Sequence, residues 1–166
     1  MHGDLGWWLY GDRRYGRAID EARHALELDP SFPESHWLLA APKAEQGELE
    51  AALEHFARYE SLYGEPVLWF RGYLEALAGK RDEALRELAE LEKRVAEGKS
   101  SPIELAQIHL GLGDRERLLE ILEKANESGV SFQPYLWPEY EEYHDDPRFR
   151  KVLEKFSLPL PPEAGA

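Results

Sequence analysis

Cysteine is absent from these 166 residues, so disulfides and thiolate-held metals are excluded and the cytoplasm is the expected compartment. Threonine is missing as well. Asn126 is the only asparagine, and Gln46, Gln107 and Gln133 are the only glutamines. This poverty in deamidation-prone amides, beside 32% charged residues, is thermophile-like. No apolar run approaches the roughly 18 residues that a membrane-crossing helix needs. The opening residues Met1-His2-Gly3-Asp4 show no basic stretch followed by an apolar one, so no secretory signal is expected. Cations are scarce: 20 Lys and Arg stand against 33 Asp and Glu, for a formal net charge of -13. Phosphate binding needs clustered cations, which argues against nucleic acid and against an anionic membrane surface as partners. A partner with basic flanks is compatible with such a surface.

What is present is a core-forming share of hydrophobic residues, 43%, arranged in a repeated layout. Four segments each pair a first helix, with a small residue near its middle and a glycine near its end, with a second helix whose apolar residues recur three or four apart. The first carries Leu5-Gly6, Leu9, Gly11, Tyr15, Ala18, Ala22, Ala25 and Pro30. The second carries Leu39-Ala40, Gly47, Ala52, Phe56, Tyr59 and Gly64, and the third Gly72, Gly79, Ala84, Leu88 and Leu91. The fourth carries Leu105-Ala106, His109, Gly113, Leu118, Leu122 and Ala125. Ala18, Ala52 and Ala84 are small enough to let antiparallel helices approach, while Gly47, Gly79 and Gly113 supply the left-handed residue that closes a helix. Ser101-Pro102-Ile103-Glu104 predicts a capping box with Pro at the first helical position, and Asp114 predicts a cap for the helix after Gly113. Pro42 falls inside a helical run and is expected to kink or shorten it.

Ala52 lies 34 residues after Ala18, the period of the tetratricopeptide repeat. The string YGRAIDEARHALELDP from Tyr15 to Pro30 resembles the second helix of that repeat with its terminal Asp-Pro. Residues Ser101 to Leu118, LEKA at 122–125 and Asp146-Pro147-Arg148-Phe149 resemble the C-terminal tetratricopeptide segment of bacterial sensory proteins, where such arrays follow adenylate-cyclase, winged-helix or protein-kinase domains. A second Asp-Pro-Arg-Phe is usual just upstream; Trp137-Pro138-Glu139-Tyr140 stands there instead. The resemblance implies an all-α right-handed superhelix of helical hairpins: four over 1–131, a divergent loop and capping helix over 132–156, and a Pro-rich tail over 157–166. It further implies a non-catalytic interaction module. Its concave face would be lined by Trp7, Tyr10, Trp37, Leu38, Trp69, Phe70, Tyr73, Ile103 and Gln107, which contact a protein or peptide partner. Co-chaperone members grip a terminal carboxylate with Lys, Asn and Arg on this face. Trp7, Leu38 and Phe70 occupy three of those places, so acidic C-terminal tails are not expected to bind.

Two other readings stand beside this one. The aromatic face could be buried in a homo-oligomer, or two carboxylates in a pocket could make an enzyme. Against catalysis, the sequence has no G-x-S-x-G, no H-E-x-x-H and no phosphate loop, since Gly111-Leu112-Gly113-Asp114 follows a helix. No cofactor and no metal are implied. Glu139-Tyr140-Glu141-Glu142-Tyr143-His144-Asp145-Asp146 lacks the spacing of a calcium loop and reads as a solvated turn in which Asp146 caps the helix opened by Pro147. His109 reads as a satisfied core histidine, and Leu158-Pro159-Leu160-Pro161-Pro162 as an extended tail.

Overall fold

A computed structural model of the chain describes residues 9–125 and 138–155. All regular structure among the described residues is helical, so the chain is all-α. Residues 9–11 are helical. They are followed by α1 (Tyr15–Leu28), α2 (Pro33–Glu45), α3 (Leu49–Tyr63), α4 (Leu68–Leu77), α5 (Arg81–Ala96), α6 (Glu104–Gly111) and α7 (Arg115–Ala125). A 3-10 helix (Pro138–Tyr143) then leads into α8 (Pro147–Lys155). The chain forms two compact units, Met1–Val67 and Leu68–Ala166. No helix among the described residues is long and apolar enough to cross a membrane. Trp7, the segment 126–137 and the Pro-rich tail 157–166 lie outside the described residues.

Three turns are built alike. Gly47, Gly79 and Gly113 have φ of +77°, +73° and +71°, a region that L side chains rarely adopt. Each glycine N–H donates to the carbonyl three residues back (Ala44, Ala76, Leu110) at 2.9–3.1 Å. The next N–H donates to the carbonyl five back (Lys43, Glu75, His109) at 2.9 Å. Together these bonds satisfy the orphan carbonyls of one helix and reverse the chain at once into the next. As expected, Asp114 also caps its helix, accepting the Arg117 N–H at 3.2 Å.

The small residues sit where the hairpins need them: Ala18, Ala52 and Ala84 are fully buried, and Leu118 takes the corresponding place in α7. In the first unit, Ile19, Ala22, Leu38 and Leu39 form a core against which Leu26 packs. Pro42 does not end its helix. α2 runs on to Glu45, and the Gln46 N–H still reaches the Pro42 carbonyl at 3.1 Å. A proline removes only its own N–H from the ladder, and a single turn remains beyond it here.

In the second unit, Leu68, Leu88, Leu91 and Ile108 form the core, with Trp69, Leu105 and Leu112 packed on it. α4 and α6 cross so closely that a Cβ on Gly72 would lie 2.8 Å from Ile108 Cδ1, and one on Gly111 2.8 Å from the Tyr73 carbonyl oxygen. Only half of the capping box forms. The Ser101 N–H donates to the Glu104 carboxylate at 3.0 Å, but Ser101 Oγ is buried without a partner among the described residues. The α-helix therefore starts at Glu104, after a turn over residues 102–103, and not at Pro102.

The acidic–aromatic segment is not a solvated turn. Tyr140 and Tyr143, three apart, fall on one side of the 3-10 helix and are both buried, because that helix repeats every three residues. Phe149 of α8 is sealed beneath them, its ring 5.9 Å from Tyr140 and 6.1 Å from Tyr143. Asp146 does cap α8, accepting the Arg148 N–H at 2.7 Å, and it also binds the Arg115 guanidinium. Arg148 closes the lattice: its Nε and Nη2 fork onto Glu123 at 2.8 and 3.0 Å, and its Nη1 meets Glu116 at 2.8 Å. The Asp-Pro-Arg-Phe string thus supplies, in order, a cap, a helix start, a cation for α7 and a core ring.

Candidate interaction site

A helix advances about 100° per residue, so two adjacent residues cannot both face the same partner. That geometry divides the residues expected on the groove. Tyr10, Leu38, Phe70, Tyr73 and Gln107 are buried and have almost no area to offer, whereas Trp37, Trp69 and Ile103 are half-buried. Leu38 and Phe70 follow Trp37 and Trp69 directly, and in each pair the second residue is the one turned into the core.

Each buried member has a structural task. The Tyr10 ring lies 5.8 Å from that of Tyr15, and the Phe70 and Tyr73 rings lie 5.8 Å apart. Gln107 Oε1 accepts the hydroxyl of fully buried Tyr140 at 2.9 Å, which ties α6 to the 3-10 helix. Burial pushes that phenol well above its ordinary pKa, so it stays a donor at physiological pH.

In the first unit, Trp37 belongs to an aromatic ladder. Its ring meets Phe56 edge-on at 5.6 Å and Tyr59 at 4.9 Å; Tyr59 stacks on Tyr63 at 5.3 Å. Phe56 and Tyr59 are buried and Tyr63 is exposed, so the ladder runs from core to surface along α3. The Tyr59 hydroxyl is pushed up to about 12 by burial first, then by Tyr63, Glu34 and Glu60. The ladder's outer rung, Tyr63, escaped the sequence reading, although the spacing Phe56, Tyr59, Tyr63 marks one helix face.

A pair of histidines was also missed. His36 of α2 and His55 of α3 have ring centroids 5.8 Å apart. Burial lowers the pKa of both. Nearby His55 and Arg58 add to it at His36; at His55, Lys43 and Arg23 add to it while Glu54 opposes. His109 is buried, as expected, but it is not satisfied: its Nδ1 lies 3.4 Å from Asp114 Oδ2 without forming a hydrogen bond among the described residues, and desolvation lowers its pKa against the pull of Asp114.

One carboxylate, Glu75 of α4, feels the charge of Glu87 on α5. Burial first and Glu87 second raise the pKa of Glu75, while Arg71 opposes. Arg71 Nη2 holds Glu87 at 2.8 Å, so the group acts as an electrostatic tie between the two helices. Among the described residues, no three His, Asp or Glu side chains are grouped to hold a metal ion. Compared with known proteins, the chain matches no family model and no curated sequence.

Proposed function

We propose that the chain is a non-catalytic interaction module of the tetratricopeptide type, whose first helices α2, α4 and α6 present one face to a segment of a protein partner. The observation that carries this reading is the identical turn at Gly47, Gly79 and Gly113, each leading into a helix that buries a small or apolar residue, at 52, 84 and 118. In this reading the hairpins stack as a right-handed superhelix. Trp37 and Trp69 then serve as anchors, because both are half-buried and both are held edge-on by neighbouring rings. A ring fixed from behind gives contact area at little entropic cost. The net charge of -13 favours a partner segment with Lys or Arg flanks.

The test is capture of partners from the native cell extract with the unaltered chain, with Trp37→Ala and with Trp69→Ala. The reading expects one band to be lost in both variants while their circular dichroism is unchanged. Retention of every band in both folded variants would refute it. Light scattering across concentrations separates it from self-association, which requires the mass to rise.

A further inference from the structure

Histidine is the side chain whose charge changes just below neutrality, so two of them in contact form a pH-sensitive joint. His36 and Trp37 are consecutive on α2, and His55 and Phe56 are consecutive on α3. Each meets its opposite number. The two imidazoles lie 5.8 Å apart, and the Trp37 ring meets Phe56 at 5.6 Å and Tyr59 at 4.9 Å. Consecutive residues stand about 100° apart around a helix, so His36 and Trp37 straddle the line along which α2 meets α3. A change of separation at the histidines therefore reaches the indole within one residue.

The joint suits the uncharged form. Both imidazoles are half-buried, and His36 Nδ1 is sealed from water without a partner among the described residues. An imidazolium donates from both nitrogens, so protonating His36 would bury a charged N–H that no described residue accepts. A second imidazolium beside it would add like-charge repulsion. The charged groups acting on the two rings come from three helices: Arg23 of α1, Lys43 of α2, and Glu54 and Arg58 of α3. The three cations work against protonation and Glu54 opposes them, while Lys43 is also bound to Glu48 at 2.6 Å. With burial as the first cause, both rings stay neutral to a lower pH than a free imidazole does. An opened hairpin would take up protons first, so acid favours opening.

We propose that His36 and His55 are an acid-operated release for the anchor ring Trp37: neutral, they let α2 close on α3 with the indole clamped; protonated, they part the two helices there and free it. The inference deepens the interaction reading and rests on it for what the released indole was holding.

The test uses the full-length chain with fluorotryptophan in place of tryptophan, followed by fluorine NMR from about pH 8 to about pH 5. The Trp37 resonance, assigned with Trp37→Phe, should move with a midpoint below the ordinary imidazole value of about 6.5, before far-ultraviolet circular dichroism falls. The Trp69 resonance should stay in place. The double variant His36→Phe/His55→Phe, which keeps two rings in contact without a charge, should abolish the movement, and His55→Gln alone should shrink it. A Trp37 resonance that ignores pH, that moves only as helix is lost, or that titrates unchanged in either variant would overturn the proposal. Capture of the native partner should be lost over the same pH range and kept by the double variant. If Trp37→Ala loses its partner while the Trp37 resonance ignores pH, the release falls and the interaction reading stands. If the resonance titrates through the histidines while Trp37→Ala and Trp69→Ala keep every partner, the interaction reading falls and the release stands.

Discussion

Replacing Phe149 by alanine removes the ring on which the closing helix is set. The side chain is fully buried and faces Tyr140 at 5.9 Å with 11° between planes, Tyr143 at 6.1 Å and His144 at 6.2 Å. Phe→Ala in a core costs about 3–5 kcal/mol, of which a stacked ring pair accounts for about 0.5–1.5. Whole domains are stable by only about 5–15 kcal/mol, so the loss approaches the lower end of that range. With a urea slope of about 1–3 kcal/mol per molar, the unfolding midpoint should fall by more than about 1 M. The assay is a urea titration read by far-ultraviolet circular dichroism, with hydrogen exchange locating the loss in α6, α7 and α8. Exchange should quicken most at Tyr140 and along α8. A loss below about 1 kcal/mol, the range of ordinary surface substitutions, would refute the placement of this ring in a core.

Other perturbations separate the remaining forces. Asp146→Ala removes the cap of α8 and should cost about 0.5–2 kcal/mol in thermal melts, whereas Asp146→Asn keeps the acceptor and should cost less. Burial raises the Asp146 pKa, but the Arg148 N–H, the Arg115 guanidinium and the Phe149 N–H outweigh it and set it below the usual carboxylate range. Its contribution is therefore present above about pH 4 and is lost as pH falls through the lowered value, which acid unfolding of α8 can check. His36 and His55 act at a higher pH. Their folded pKa values are lowered, so the unfolded chain takes up protons first, and the first unit should lose stability as pH falls below about 6.5. Replacing both with Phe should flatten that slope in pH-dependent melts. Gly111→Ala would place a Cβ 2.8 Å from a backbone oxygen and should cost about 1–3 kcal/mol, while Gly16→Ala in α1 meets open space and should gain about 0.5–1, both by denaturant titration.

The hairpin rhythm was legible because it is written locally. Gly47, Gly79 and Gly113 announce their turns, Ala18, Ala52 and Ala84 announce close packing, and Asp146-Pro147 announces a helix start. The facing of adjacent residues was not legible. Trp37 and Leu38 are equally apolar in sequence, and only the position of α1 and α3 around α2 decides which one is sealed. Contacts between helices were hidden for the same reason. Nothing in a periodic pattern pairs His36 with His55, or Gln107 with a tyrosine 33 positions on. The 3-10 segment misled because its acidic residues dominate the composition, while two tyrosines at a three-residue spacing do the packing.

The repeated glycine turn also governs how quickly the chain can find its shape. Each reversal is finished within a few peptide units, so a hairpin completes itself before distant sequence has to arrive. The contacts that seal the second unit reach further, 38 positions from Tyr73 to Gly111 and 33 from Gln107 to Tyr140, so they close only after the hairpins they join have formed. During synthesis the hairpin of α2 and α3 emerges before α4, and the ring of Phe149 emerges after the Tyr140 and Tyr143 rings it docks against.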